Sequence, residues 1–82
     1  MHDSYLITRI IDSVDKICKD NKISKINKLS LTVNNDSHIN EEVLLDELNH
    51  HLDDVVTTNA HLDIKKDNIE DQTAIITSIE GE

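Results

Sequence analysis

The chain has 82 residues and a formal net charge of −9 at pH 7, from 17 acidic and 8 basic side chains. This length suits one domain with one modest core. The acidic balance repels nucleic acid phosphates and anionic lipid headgroups, and a single Tyr, Tyr5, with no Phe or Trp offers no platform for base stacking. We therefore expect neither nucleic acid nor membrane as a partner.

The chain contains one cysteine, Cys18, so it has no internal disulfide and no C-x-x-C pair for structural zinc. Its beginning lacks the basic region and the apolar run of a secretory signal. No segment approaches the roughly 20 apolar residues of a membrane span. We expect a cytoplasmic protein that contains no zinc and folds on its apolar core alone.

Apolar residues recur every three or four positions from Leu6 to Cys18, which predicts an amphipathic helix. Asp3 or Ser4 can cap its first amides, and the acidic side chain of Asp3 also suits the positive end of the helix dipole. The polar "KDNK" that follows predicts the end of the helix near residues 20–21.

The next segment, "KINKLSLTV", alternates apolar and polar residues and predicts a half-buried strand. Its apolar face consists of Leu29, Leu31 and Val33. Ile26 has the wrong parity for that face, so we expect it to pack under the loop that enters the strand.

The turn-rich "NNDSHIN" precedes a second predicted helix, from Glu41 to about Asp53, with Asn40 as its N-cap. Glu41 and Glu42 fall in the first turn, where negative charge is favourable. One face of this helix is apolar and carries Leu44, Leu45, Leu48, Leu52 and Val55.

Two more strands are predicted, in "AHLDIKK" and in "TAIITSIE", and we expect them to form a hairpin. The apolar residues of the last strand do not keep one parity, so this strand is central in the sheet, bulged near Thr77, or both. The fold class is α+β, with two helices packed on one face of a three-stranded mixed sheet in the order α-β-α-β-β.

The histidine at position 2 is the sharpest candidate for chemistry. A terminal amine on Met1, the amides of His2 and Asp3, and the His2 imidazole can surround one ion with four nitrogens in a plane, which suits Ni(II) or Cu(II). The amine has a reference pKa of about 7.7 to 8, so affinity should rise with pH through that range. The alternatives are that His2 is only solvated and that Asp3 is only a helix cap.

The other histidines are interpreted as solvated residues. His50 and His51 are adjacent on the second helix and point about 100° apart, so they are poorly placed to share one ion. His38 lies in the turn and His61 on the polar face of a strand, although folding can bring one of them near His2.

Nothing in the sequence predicts an enzyme. Cys18 falls on the apolar stripe of the first helix, which explains it as a small buried hydrophobe. No Ser/His/Asp set or paired-carboxylate cleft is evident, and a phosphate-binding loop is excluded because Gly81 is the single glycine.

Several segments together resemble a known family: "MHD" at the start, "LITRIIDSV", "INKLSLTV", Ser37 before "EEVL", and "NAHLDI". They are similar to the N-terminal domain of HypA, the nickel-delivery protein of nickel-iron hydrogenase maturation, from Met1 to about Ile64. The family reads Met-His-Glu where this chain has Met-His-Asp. The resemblance implies a metallochaperone that binds Ni(II) with Met1, His2 and Asp3 and exchanges it with a partner protein.

The family also has glycine at turns where this chain has Lys22, Asn34, Asp54 and Asn59. Asn and Asp tolerate a positive φ better than other non-glycine residues, so three of these four replacements keep the turns possible.

The chain departs from the family after Lys66, where family members insert a zinc domain held by two C-x-x-C pairs. Here about six residues, Asp67 to Gln72, replace the insertion, and "IITSIEGE" resembles the returning strand. We therefore expect one domain over residues 1–82, without the insertion between about 66 and 73, as a monomer or weak homodimer. The alternative function is a metal-independent protein interaction module that retains the fold. The sequence leaves open whether a hydrogenase, a urease or neither receives the nickel.

Overall fold

The computed structural model describes residues 4–52 and 55–82. Its elements follow the predicted α-β-α-β-β order and form an α+β fold. They are α1 (Ser4–Asn21), β1 (Ile26–Asn34), α2 (Glu41–His51), β2 (Val56–Asp67) and β3 (Ala74–Gly81). None of the helices in these two ranges is long and apolar enough to cross a membrane.

The three strands form one mixed sheet in the order β2-β1-β3. β1 is parallel to β2 and antiparallel to β3. The predicted hairpin between the last two strands is therefore wrong, because β2 and β3 lie on opposite sides of β1. Residues 68–73 connect them across the end of β1, a distance of about 10 Å that six residues span easily.

This order places the most buried strand, β1, at the centre, where it is paired on both sides. Leu29, Leu31 and Val33 are at most 1% exposed and lie on the face that the helices cover, as predicted. The two fully apolar rows across this face are Leu62–Leu29–Ile79 and Ile64–Leu31–Ile76. The opposite face, called the open face below, carries the rows Asp63–Ser30–Ser78 and Lys65–Thr32–Ile75.

Two irregularities in the strand register explain why the apolar residues of β3, and Ile26 in β1, do not keep the parity of their strands. Thr77 is an extra residue of β3 between the pairs Ser30–Ser78 and Leu31–Ile76, so the predicted bulge is confirmed. The alternative explanation, a central position, does not apply, because β3 is an edge strand. A second shift occurs at Asn27. It returns Ile26 to the buried face, so Ile26 lies within the sheet and not under the entering loop, and its side chain is fully buried.

α1 ends at a left-handed residue that closes its last turn. The Ile23 N–H donates to the Cys18 carbonyl at 2.8 Å and the Lys22 N–H to the Lys19 carbonyl at 3.4 Å, which is the Schellman arrangement. Lys22 has a φ of 57°. Of the four positions where the family favours glycine, Asn34 and Asn59 have no positive φ, and Asp54 lies outside the described residues.

α2 begins as predicted, because the Asn40 side chain accepts a hydrogen bond from the Val43 N–H at 2.9 Å. It ends at His51, slightly before the predicted end near Asp53. Leu44 and Leu48 are fully buried, while Leu45, Leu52 and Val55 are partly buried against the core.

One apolar cluster joins both helices to the covered face of the sheet. Ser37 is the only buried polar side chain among the described residues. The buried members of the cluster are Leu6, Ile7, Ile10, Ile11, Val14, Cys18, Ile26, Leu29, Leu31, Val33, Ile39, Leu44, Leu48 and Val56.

Candidate functional site

The predicted metal ligands, Met1, His2 and Asp3, lie outside the described residues. The structure therefore bears on this site only through its surroundings, beginning with Ser4, where α1 starts.

A pocket of about 250 Å³ lies where the first turns of α1 meet two loops. One loop connects β1 to α2, and the other connects β2 to β3. We call it the loop pocket; its lining residues are Leu6, Asn34, Asp36, Ser37, His38, Asp71 and Gln72.

Asn34 and Ser37 accept the hydrogen bonds that fix the first loop. The Asn34 side-chain oxygen accepts from the Asp36 N–H at 2.8 Å, and the Asn34 carbonyl accepts from the Ser37 N–H at 3.0 Å. The buried Ser37 hydroxyl accepts from the Ile39 N–H at 3.2 Å. These bonds account for a turn rich in Asn, Asp and Ser, and they leave His38 exposed at the pocket.

Asn34 also holds the second loop. Its side-chain nitrogen donates to the Ile69 carbonyl, and the next residue, Asn35, donates its N–H to the Asp67 carbonyl at 3.0 Å. Gln72 adopts a φ of 57°, and its N–H donates to the Asp71 carboxylate at 3.0 Å. The end of β1 thus fastens both loops on either side of the pocket.

The loop pocket is lined by two carboxylates and one imidazole, so it attracts cations more than anions. Asp36 and His38 come from one loop and Asp71 from the other. Nevertheless, no three His, Cys, Asp or Glu side chains within residues 4–52 and 55–82 are grouped as a metal ion requires. The described lining therefore supplies polar contacts and negative potential, and not a complete set of metal ligands.

The remaining histidines are dispersed over the surface, as expected from the sequence. His50 and His51 are both exposed, and their rings are perpendicular with centroids 5.0 Å apart. The His51 Nε2 lies 3.2 Å from a Glu47 carboxylate oxygen. His61 is exposed and is paired in register with Lys28 on the open face.

Cys18 is buried on the apolar stripe of α1, which confirms its predicted packing role. Burial raises the pKa of the thiol, and the negative charge of Asp15 raises it further. The protonated thiol is favoured at neutral pH, and it is neither a good nucleophile nor a good metal ligand.

Sequence reasoning missed the part of the pocket that comes from the β2–β3 loop. Asp71 and Gln72 are distant in sequence from Leu6 and His38, and only the crossing of β1 by this loop brings them together. The available signal was the loop length: six residues exceed the two to five of common hairpin loops.

No protein-family model matches the chain, and no curated protein matches it significantly. The resemblance to the HypA family therefore rests on the residues quoted above and stays a prediction.

Proposed function

We propose that this chain is a HypA-like cytoplasmic accessory protein that binds Ni(II) with Met1, His2 and Asp3 and exchanges it with a partner protein. The observation that carries the proposal is the sequence "MHD" directly before a helix that begins at Ser4. Four nitrogens from these residues suit the square-planar preference of Ni(II). In this proposal the protein carries the ion and catalyses no reaction.

The surroundings of Ser4 support a cation at this end of the molecule. Three residues span at most about 10 Å, so an ion bound by them stays close to the beginning of α1. Leu6, in the first turns of α1, lines the loop pocket together with the carboxylates of Asp36 and Asp71. Negative charge beside the beginning of α1 favours a divalent cation there and disfavours an anion.

The proposed ligands also set a pH dependence. The terminal amine and two amides must lose protons when they bind the metal, so protons compete with Ni(II) for the site. Because the amine has a reference pKa of about 7.7 to 8, affinity is expected to increase between about pH 6.5 and pH 8.5.

Isothermal titration of the untagged protein with Ni(II) tests the proposal. We expect one equivalent to bind, and His2→Ala to weaken binding by at least about tenfold because one ligand nitrogen is lost. A single residue added before Met1 should weaken it comparably, since it converts the amine to an amide and changes no side chain. Asp3→Ala should have a smaller effect because that residue contributes its backbone nitrogen.

His50→Ala and His51→Ala provide matched controls, because they remove an exposed imidazole elsewhere. Equal binding by the native, extended and His2→Ala proteins would contradict the proposed ligands and direct attention to the other histidines. If none of the proteins binds Ni(II), the metal-independent interaction module becomes the better account.

A further inference from the structure

The outer edge of β2 is a regular strand edge with no partner strand in the part of the chain that the structure describes. β2 pairs only with β1 there, and seven consecutive residues, His61–Asp67, keep an unbroken register. A regular edge of this kind presents a row of backbone N–H and C=O groups that another strand can pair with. The irregular stretch of β2 lies before it, where residues 57–60 face Asn27 alone.

The sequence of this edge, "HLDIKKD", is complementary to its own reverse. When two copies are placed antiparallel with Ile64 facing Ile64, Asp63 of each copy faces Lys65 of the other. The same placement sets His61 opposite Asp67 and Leu62 opposite Lys66. Acid–base and apolar pairs directly across antiparallel strands stabilise the pairing, and the two-fold symmetry repeats each of them.

Charge and strand regularity select this register over its neighbours. A shift of the two-fold axis to Asp63 would place the Asp63 carboxylates of the two copies opposite each other. A shift to Lys65 would place the two Lys65 ammonium groups opposite each other. An axis at Leu62 would extend the pairing into the irregular residues 57–60. Like charges directly opposite are unfavourable, so the axis at Ile64 is the best of these arrangements.

The helix-covered side of the edge offers a second point of complementarity. A groove of about 370 Å³ lies between α2 and β2 and is lined by Glu41, Glu42, Leu45, Ala60, His61 and Leu62. Lys66 is exposed and has the same parity as Leu62, so it lies on the helix-covered side of the sheet. In the antiparallel placement it stands opposite Leu62, with its aliphatic stem over apolar groove residues and its ammonium toward Glu41 and Glu42.

We propose that two copies of this chain associate through the outer edges of β2, antiparallel about Ile64, with Lys66 of each copy in the acidic groove of the other. The result is a continuous six-stranded sheet with all four helices on one face. The association requires no metal, so it is separate from the proposed nickel binding.

Sedimentation equilibrium of the whole chain in EDTA, over a range of concentrations, tests the proposal. We expect a reversible increase from 9.3 kDa toward twice that mass. Lys66→Glu places a carboxylate against Glu41 and Glu42 at both ends of the interface. It should raise the dimer Kd by about tenfold or more.

Charge exchange distinguishes this interface from any other. Asp63→Lys and Lys65→Asp should each weaken the dimer, and the double variant should restore it, because the pairs reform with their signs reversed. Lys16→Glu on the exposed side of α1 is the matched control, since it changes the net charge by the same amount as Lys66→Glu. Circular dichroism checks that each variant is folded.

A chain that stays at 9.3 kDa at the highest soluble concentration would overturn the proposal. So would a dimer that Lys66→Glu and Lys16→Glu weaken equally, or a double variant that remains as weak as its single parents.

Discussion

The two edge strands of the sheet, β2 and β3, differ in how regular their edges are. β3 is interrupted at Thr77, where one extra residue breaks its register with β1. β2 keeps its register over seven consecutive residues. Bulges twist an edge and hinder further pairing, so the edge of β3 is protected in a way that the edge of β2 is not. The asymmetry indicates that only one side of the sheet is suited to accept another strand.

The strands also differ in what holds them to the fold. α2 packs over β2, and its two fully buried residues join that side to the core. β3 is held at its end by backbone hydrogen bonds: the Glu82 N–H donates to the Lys25 carbonyl at 2.8 Å, and the Glu82 carbonyl accepts from the N–H groups of Ser24 and Lys25 at 2.6 and 3.0 Å. Both edge strands contribute partly buried apolar side chains to the core, so they differ in the helix that packs over β2 and in the close backbone contacts at the end of β3.

The largest effect is expected where packing supports β2. Leu48 is fully buried, so Leu48→Ala should leave a cavity beneath α2 and lower the free energy of unfolding by about 2 to 5 kcal/mol. Val43→Ala is the matched control on the same helix, because Val43 is 39% exposed, and it should change stability by less than about 0.5 kcal/mol. Urea denaturation measures both. A loss below about 1 kcal/mol for Leu48→Ala would mean that packing by α2 is not what secures β2.

The next largest effect is expected where backbone contact anchors β3. A Cβ at Gly81 would lie 1.9 Å from the Lys25 carbonyl oxygen, so Gly81→Ala forces the two strands apart. We expect a loss of about 1 to 3 kcal/mol, together with faster hydrogen exchange at Lys25 and Glu82. Glu80→Ala, at the exposed neighbouring position, should have little effect. If Gly81→Ala lowers stability no more than Glu80→Ala does, the end of β3 can move away from Lys25 without loss of stability.

Periodicity in the sequence was sufficient for most of the local structure. The three-and-four spacing from Leu6 to Cys18 predicts α1, and Asn40 is a correct N-cap, because each signal depends on residues within one or two turns. Strand order could not be obtained in this way. Alternation shows which face of a strand is buried, but it does not identify the neighbouring strand, which is why the predicted hairpin of the last two strands is wrong.

The register shift at Ile26 and the left-handed conformation of Gln72 could not be predicted from local pattern for a related reason. The position of Ile26 depends on a bulge at Asn27, which is defined only against strands that come later in the chain. Among the described non-glycine residues, positive φ values occur at Lys22, where the resembled family has glycine, and at Gln72. Neither residue type favours that conformation. At Lys22 the closing hydrogen bonds of α1 determine the conformation and override the residue preference.

The candidate site also has one part that the local sequence indicates and one part that only tertiary contacts create. The sequence supplies the chemical argument for Met1, His2 and Asp3, which lie outside the described residues. The loop pocket combines α1 with two loops, and Asn34 fastens both of them. Tertiary contacts create such a pocket, so local pattern alone does not predict it.

A smaller effect is expected from the bulge that interrupts β3. The Thr77 hydroxyl donates to the Ser30 carbonyl at 3.1 Å, which helps to hold the extra residue in place. Thr77→Val should lower stability by about 0.5 to 1.5 kcal/mol, whereas Thr73→Val, which removes a hydroxyl hydrogen bond within the turn, should cost less. Thermal denaturation compares them. If Thr77→Val stabilises the protein, the hydrogen bond does not maintain the bulge.

The smallest effect, no change at all, is expected when metal is removed. Both edges depend on contacts within the chain: apolar packing against the core for β2 and β3, and, for β3, backbone hydrogen bonds between Lys25 and Glu82 as well. The single cysteine is buried with a protonated thiol favoured, so it does not compete for a structural ion. Circular dichroism spectra and melting temperatures of the protein as purified should therefore be the same before and after EDTA is added. A loss of helical signal on chelation would show that an ion stabilises part of the fold, and a selective loss of β2 or β3 by hydrogen exchange would identify which edge depends on it.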